Sequence, residues 1–192
     1  MHKYLPNIFV FLDEYNENIF QNNNINIGVI YRNYKAKNRE KELNKIAKAC
    51  KKKRYQLFVS NDIKLMLKIK ADGIYIPSFN KTKKFENLEK RNIKIIGSAH
   101  NQREIFEKIS QKCKTIFLSP IFFVKKSKKY LGLHKFNILS NHNKVNFVAL
   151  GGIGKKNIKS LKLLNIKGFS GISMFKKKTG LEEAGFLKNN LF

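Results

Sequence analysis

The chain has 192 residues, 42% of them hydrophobic and 16 of them phenylalanine, enough for one buried core, which excludes disorder over the whole length. Its net charge is +27, but only Arg32, Arg39, Arg54, Arg91 and Arg103 are arginine, the better bidentate reader of phosphates and bases. Lysine spread over nearly every polar segment, beside abundant Asn, Ile and Phe, fits solvated faces, with nucleic acid attracted non-specifically if at all.

In chain order, the first element is a strand at Ile8–Leu12, "IFVFL". Asp13 and Glu14 interrupt this apolar run and no small-residue cleavage site follows, so it reads as a strand and not a leader. A second strand follows at Ile27–Tyr31. Asn38–Lys53 then carries Leu43, Ile46, Ala47 and Cys50 at helical spacing, with Asn38 as N-cap. Strands are expected at Gln56–Ser60, Gly73–Ile76, Ile93–Gly97, Thr115–Ser119, Phe147–Gly151 and Phe169–Ser173. Helices are expected at Asp62–Lys70, Asn101–Lys112 and Asn157–Asn165. No apolar run approaches the ~18 residues of a membrane-spanning helix. Cys50 and Cys113 have no C-x-x-C spacing, so free thiols in a reducing cytoplasm are expected.

Eight short apolar strands alternating with helices imply parallel pairing through right-handed crossovers. They fit an α/β fold: a single compact (β/α)8 TIM barrel over residues 1–192, with short or missing helices, above all between strands one and two. An open doubly wound sheet is the alternative.

In such a barrel the residues at the C-terminal ends of the strands share one mouth, and the turns after strands seven and eight often hold phosphate. Gly151 and Gly152 end strand seven, and Gly171, Ile172 and Ser173 end strand eight, so these turns are the candidate phosphate cup. The other strand ends supply Arg32, Tyr34 and Lys35; Ser60, Asn61 and Asp62; Ser78 and Asn80; Ser98 and His100; then Ser119, Pro120 and a lysine-rich loop at Lys125–Lys129. Cations, one carboxylate, amides and hydroxyls suit a phosphorylated or diphosphorylated ligand. Arg32 can fork onto phosphate oxygens, and Asp62 offers an oxygen for Mg²⁺. Blander roles are open beside these: Asp62 as a helix cap, Arg32 in an ion pair with Asp13 or Asp62, His100 as a hydrogen-bonded barrel residue. His134 and His142 read as surface loop residues. Ser-His-Asp sets, zinc spacings, Walker loops and G-x-G-x-x-G are absent from the sequence.

The ordered segments "SND", "ADGIYIPS", "IIGSAH", "LSPIF", "VALGGI" and "GISM" resemble the thiamine phosphate synthase family, which includes the TenI-type thiazole tautomerases. The resemblance spans roughly residues 27–175 and implies a (β/α)8 barrel. It implies a transferase that couples hydroxymethylpyrimidine diphosphate to thiazole phosphate and releases diphosphate, with Mg²⁺ as cofactor and small phosphorylated substrates as partners. Carried over by position, Arg32 is a catalytic diphosphate contact, Ser98 a catalytic and substrate-binding residue, and Asn61 a substrate contact. Asp62 is one metal aspartate, and Gly152 with Ile172 and Ser173 is the phosphate cup. The second metal aspartate is here Asn80, an amide without charge. The glutamine and lysine of the family's Q-x-R-x-K segment are here Ile30 and Tyr34, with Lys35 adjacent. The T-x-T-K loop has lost its threonines, leaving Lys126 and Lys128 as its cations, Lys126 for the reaction and Lys128 for phosphate. The tautomerase histidine of the strand-six loop is absent. These departures leave open a barrel that binds a thiamine-related phosphate without turnover, and a tautomerase-like enzyme.

Overall fold

A computed structural model describes residues 4–21, 26–91, 93–125, 127, 129–142 and 144–171. Eight parallel strands close into a barrel in sequential order: β1 (Ile8–Leu12), β2 (Ile27–Tyr31), β3 (Gln56–Ser60), β4 (Gly73–Ile76), β5 (Lys94–Ala99), β6 (Thr115–Leu118), β7 (Asn146–Leu150) and β8 (Gly168–Gly171). β8 returns to β1 with Phe169 opposite Ile8, which closes the ring. The strand alternation sends one set of side chains outward under the helices and the other into the barrel.

The inner set is largely aromatic. Phe9, Phe11, Phe58, Tyr75 and Phe117 fill the tube with Ile30, Ile96 and Val148. Their rings meet edge to face: Phe9 and Phe117 lie 4.9 Å apart at 79°, Phe11 and Tyr75 5.3 Å apart at 83°, and Tyr75 and Phe117 5.7 Å apart at 79°. At the N-terminal end a polar plug closes the tube. Lys94 Nζ donates to Gln56 Oε1 at 2.7 Å, and Gln56 Nε2 donates to the Tyr4 carbonyl at 2.6 Å. Burial holds the Lys94 ammonium below the usual lysine range.

Outside, α1 (Glu17–Gln21), α2 (Arg39–Lys53), α3 (Ile63–Ile69), α4 (Gln102–Ser110) and α5 (Gly132–Leu139) cover the strands, with single 3₁₀ turns at Glu86–Arg91 and Ile158–Leu163. α2 buries Leu43, Ile46 and Cys50, three of the four residues read as its apolar face. Asp62 and Asn101 cap α3 and α4 by accepting from Leu65 N and Glu104 N. Asn38 precedes α2 but makes no side-chain cap bond, because its backbone leaves the extended region a cap requires.

The helix expected at Asn157–Asn165 is a 3₁₀ turn that ends with Leu164 extended. α1 and α5 appear where none was assigned. His134 consequently lies exposed on α5 and not in a loop. β5 begins and ends later than Ile93–Gly97, bringing Ser98 and Ala99 into the strand. Cys50 and Cys113 are free and buried, and burial pushes the Cys113 thiol up to about 12. Among the described residues, no helix is long and apolar enough to cross a membrane.

Candidate active site at the barrel mouth

The loops after the strands are stitched to one another around the C-terminal end. At β2, Arg32 places its Nε 3.7 Å from Asp13 Oδ1 on the β1 loop, and its guanidinium lies 5.1 Å over the Phe11 ring. Tyr34 reaches across to β3, where its hydroxyl and that of Ser60 lie 2.5 Å apart, and its ring meets Phe79 edge-on at 6.1 Å. Asn61, in the left-handed region at φ 60°, accepts from Asn80 Nδ2 on the β4 loop. Ser78 N donates to Ser98 Oγ at 3.1 Å, joining the β4 loop to β5. His100 bridges β5 and β6. A carbonyl can only accept, so the 2.7 Å contact from Nδ1 to the Ser119 oxygen places the proton on Nδ1. Nε2 then accepts from Ser78 Oγ at 3.2 Å. The β6 loop meets β7 through Ile121 N to Leu150 O and Phe122 N to Gly151 O, at 2.9 and 3.1 Å.

The barrel thus brings Arg32, Asn61, Asp62, Asn80, Ser98, Gly151 and Gly152 to one end, as the strand-end rule requires. Lys35 stands exposed on the β2 loop. Gly171 is the buried last residue of β8 and pairs with Val10. Lys126, Lys128, Ile172 and Ser173 lie outside the described residues; their neighbour Ser127 closes a tight turn by donating from N to the Val124 carbonyl at 2.9 Å.

Two readings gain a structural explanation. Gly151 and Gly152 have φ of +94° and +72°, and a Cβ on Gly152 would lie 2.6 Å from the carbonyl oxygens of Phe122 and Phe123. The pair is therefore needed to let the β7 turn tuck under the β6 loop, whatever it binds. Asp62 serves as a cap and an ion-pair partner at once: Oδ1 accepts from Leu65 N at 2.9 Å and Oδ2 from Arg39 Nη1 at 3.0 Å.

Mg²⁺ does not fit the side chains as they stand. Asn80 Oδ1 accepts from both Thr82 N and Thr82 Oγ1, at 2.8 and 3.0 Å, which uses both lone pairs of an amide oxygen. The amide orientation is fixed, because a backbone N–H only donates. Among the described residues no group of three or more His, Cys, Asp or Glu could hold a metal.

Sequence reasoning assigned no role to Arg39, Tyr75, Thr82, Lys108 or Gln111. Tyr75 stands in the upper barrel, where burial raises its hydroxyl above the usual range while a hydrogen bond with Ser98 opposes the shift. Lys108 is fully buried behind the β4 loop and donates to the Asn80 carbonyl and to Gln111 Oε1, each at 2.7 Å. Gln111 Nε2 donates to the Asn80 and Thr82 carbonyls at 2.9 and 2.8 Å. α4 thereby fixes the loop carrying Ser78 and Asn80 from behind.

Burial holds Lys108 below the usual lysine range. Between its folded and unfolded pKa values the unfolded chain binds more protons, so this group makes stability rise with pH. As pH climbs toward the ordinary lysine pKa of about 10.4, the urea midpoint should therefore rise less in Lys108→Met than in the parent chain. Equal slopes would show that Lys108 is not held neutral-prone in the fold.

Fold and mouth together define a (β/α)8 barrel that builds its site from the loops following its strands. Residues 19–175 match the thiamine monophosphate synthase (TMP-TENI) family model, and the chain belongs to that family. It is similar to thiamine-phosphate synthase of Prochlorococcus marinus subsp. pastoris, 35% identical over 125 residues, which are 64% of this chain and 36% of that protein. It is also 28% identical over 151 residues to thiamine-phosphate synthase of Pediococcus pentosaceus, covering 73% of this chain and 69% of the relative. The chain thus spans about a third of the length of the Prochlorococcus relative it matches. Its fold is similar to that of thiamine phosphate pyrophosphorylase from Pyrococcus furiosus, with a TM-score of 0.73 at 17% identity over 96% of this chain and 94% of that one.

Proposed function

We propose that the mouth binds small phosphorylated ligands and couples hydroxymethylpyrimidine diphosphate to thiazole phosphate, releasing diphosphate. The observation that carries this reading is the loosely committed Arg32 at a rim where Asp62, Ser78 and Asn80 are engaged by Arg39, His100 and Thr82, in a chain that belongs to this family. In such a reaction the pyrimidine C–O bond breaks, the diphosphate leaves with the bonding pair, and the thiazole nitrogen attacks the cation that remains. Little proton transfer is asked of the protein; positioning and stabilisation of the leaving anion do most of the work. Arg32 and Lys35 supply positive charge at the β2 end, and Ser98 on β5 and Asn61 after β3 offer hydrogen bonds.

Incubating the full chain with both precursors should yield thiamine phosphate and diphosphate, measured by mass spectrometry. A second reading is favoured by Asn80, whose oxygen is wholly engaged by Thr82: a barrel that binds a thiamine-related phosphate without coupling. Saturable binding of thiamine phosphate with no product formed would establish that reading, and failure to bind either precursor or product would end both.

A further inference from the structure

Arg39 is a residue that neither the family pattern nor the proposed reaction uses, and it is paired with Asp62, the aspartate that the pattern assigns to a metal. Arg39 opens α2 and Asp62 caps α3, and the closed barrel brings these two helix starts side by side above β2 and β3. The guanidinium is held on several sides. Nη1 donates to Asp62 Oδ2 at 3.0 Å, Nη2 reaches the Ser60 carbonyl at 3.4 Å, and the Tyr31 and Tyr34 rings lie 5.8 and 5.9 Å from Cζ. Its side chain is 21% exposed and that of Asp62 32%.

Asp62 therefore already has a fixed cation at hydrogen-bond distance on one oxygen and a backbone donor on the other. A divalent ion placed there would face the guanidinium charge, and Asn80 has no oxygen lone pair left to help hold it. We infer that Arg39 is the resident cation of this site: it neutralises Asp62 permanently, so that a diphosphate is bound at the mouth without a divalent metal. This rests on the reading of the mouth as a diphosphate site and specifies which cation serves it. Exposing the carboxylate would then have two effects, repulsion of the anion and a new opening for a metal to bridge them.

The test is calorimetric titration of the full chain with inorganic pyrophosphate, in chelator and in Mg²⁺. The parent chain should bind with a Kd that differs less than about threefold between the two conditions. Arg39→Gln should bind about tenfold more weakly in chelator and recover in Mg²⁺. The double variant Arg39→Gln with Asp62→Asn, in which Asn keeps a good helix cap, should return to parent affinity in chelator and ignore Mg²⁺. A merely structural role for Arg39 would leave the double variant as weak as the single one, and that result overturns the inference. Binding by the parent chain only when Mg²⁺ is present overturns it too, while leaving the diphosphate site standing. Absence of pyrophosphate binding under both conditions removes the site and the inference together.

Discussion

Replacing Arg32 with alanine should weaken pyrophosphate binding about tenfold to a hundredfold, the effect of losing one charge-assisted contact of about 1.5–3 kcal/mol. The side chain is well suited to that role because the fold asks little else of it. Its ion pair with Asp13 spans 3.7 Å between side chains 35% and 59% exposed, and such a pair contributes little to stability. Its stacking over Phe11 adds packing that a lysine would not reproduce. Arg32→Ala should therefore melt close to the parent temperature while losing the ligand, and Arg32→Lys should retain only part of the affinity. Parent-like titration curves for Arg32→Ala would remove this residue from the site.

The second large effect is on folding. Gly73→Ala should destabilise the barrel by about 3 kcal/mol, the upper end of overpacking costs, equivalent to a fall of about 10 °C in Tm for a chain of this length. Gly73 sits opposite Lys94 in the parallel β4–β5 pair, and a Cβ there would lie 2.2 Å from the Lys94 carbonyl oxygen and 2.8 Å from the Phe58 ring. The carbonyl is backbone and the ring belongs to the filled interior, so neither can give way cheaply. Gly154→Ala is the matched control, since nothing lies within 4 Å of its added Cβ. Differential scanning calorimetry of the two variants decides the matter: equal melting temperatures would mean that β4 and β5 can part to admit a methyl group.

Gly73 also illustrates how a motif can be legible and its purpose not. The "ADG" of "ADGIYIPS" marks the family, yet its aspartate works at the far end of the barrel from the mouth. Asp72 Oδ2 accepts from Leu57 N at 2.9 Å, and its carbonyl accepts from Lys94 N at 3.3 Å, so it clips β3, β4 and β5 together at their starts. The strands were readable because each is a short, wholly or mostly buried apolar run, a signal that survives any neighbour. α1 was not, because the five residues of "ENIFQ" are too few to show a period. α5 was not, because it starts after Leu131 with no side-chain cap to announce it.

The mouth divides in the same way. That Arg32, Asp62 and Ser98 share one end follows from counting strands. That Asp62 is claimed by Arg39, Asn80 by Thr82 and Ser78 by His100 depends on how loops from different strands fall against one another, and no local pattern encodes that. Asn157 is a similar case: it donates to the Gly152 carbonyl and accepts from Gly154 N, at 2.8 and 2.9 Å, shaping the turn from a segment read only as a helix start.

The aromatic filling of the tube bears on the order of events. Phe9, Phe11, Phe58, Tyr75 and Phe117 fill the tube beneath the mouth, and the lysine plug seals the opposite end. If the proposed coupling takes place here, both precursors enter and both products leave by the mouth. Under that reading, a precursor seated against the aromatic floor would be screened from solvent by the second one above it, and the diphosphate and the joined product would both leave past the loops that admitted them.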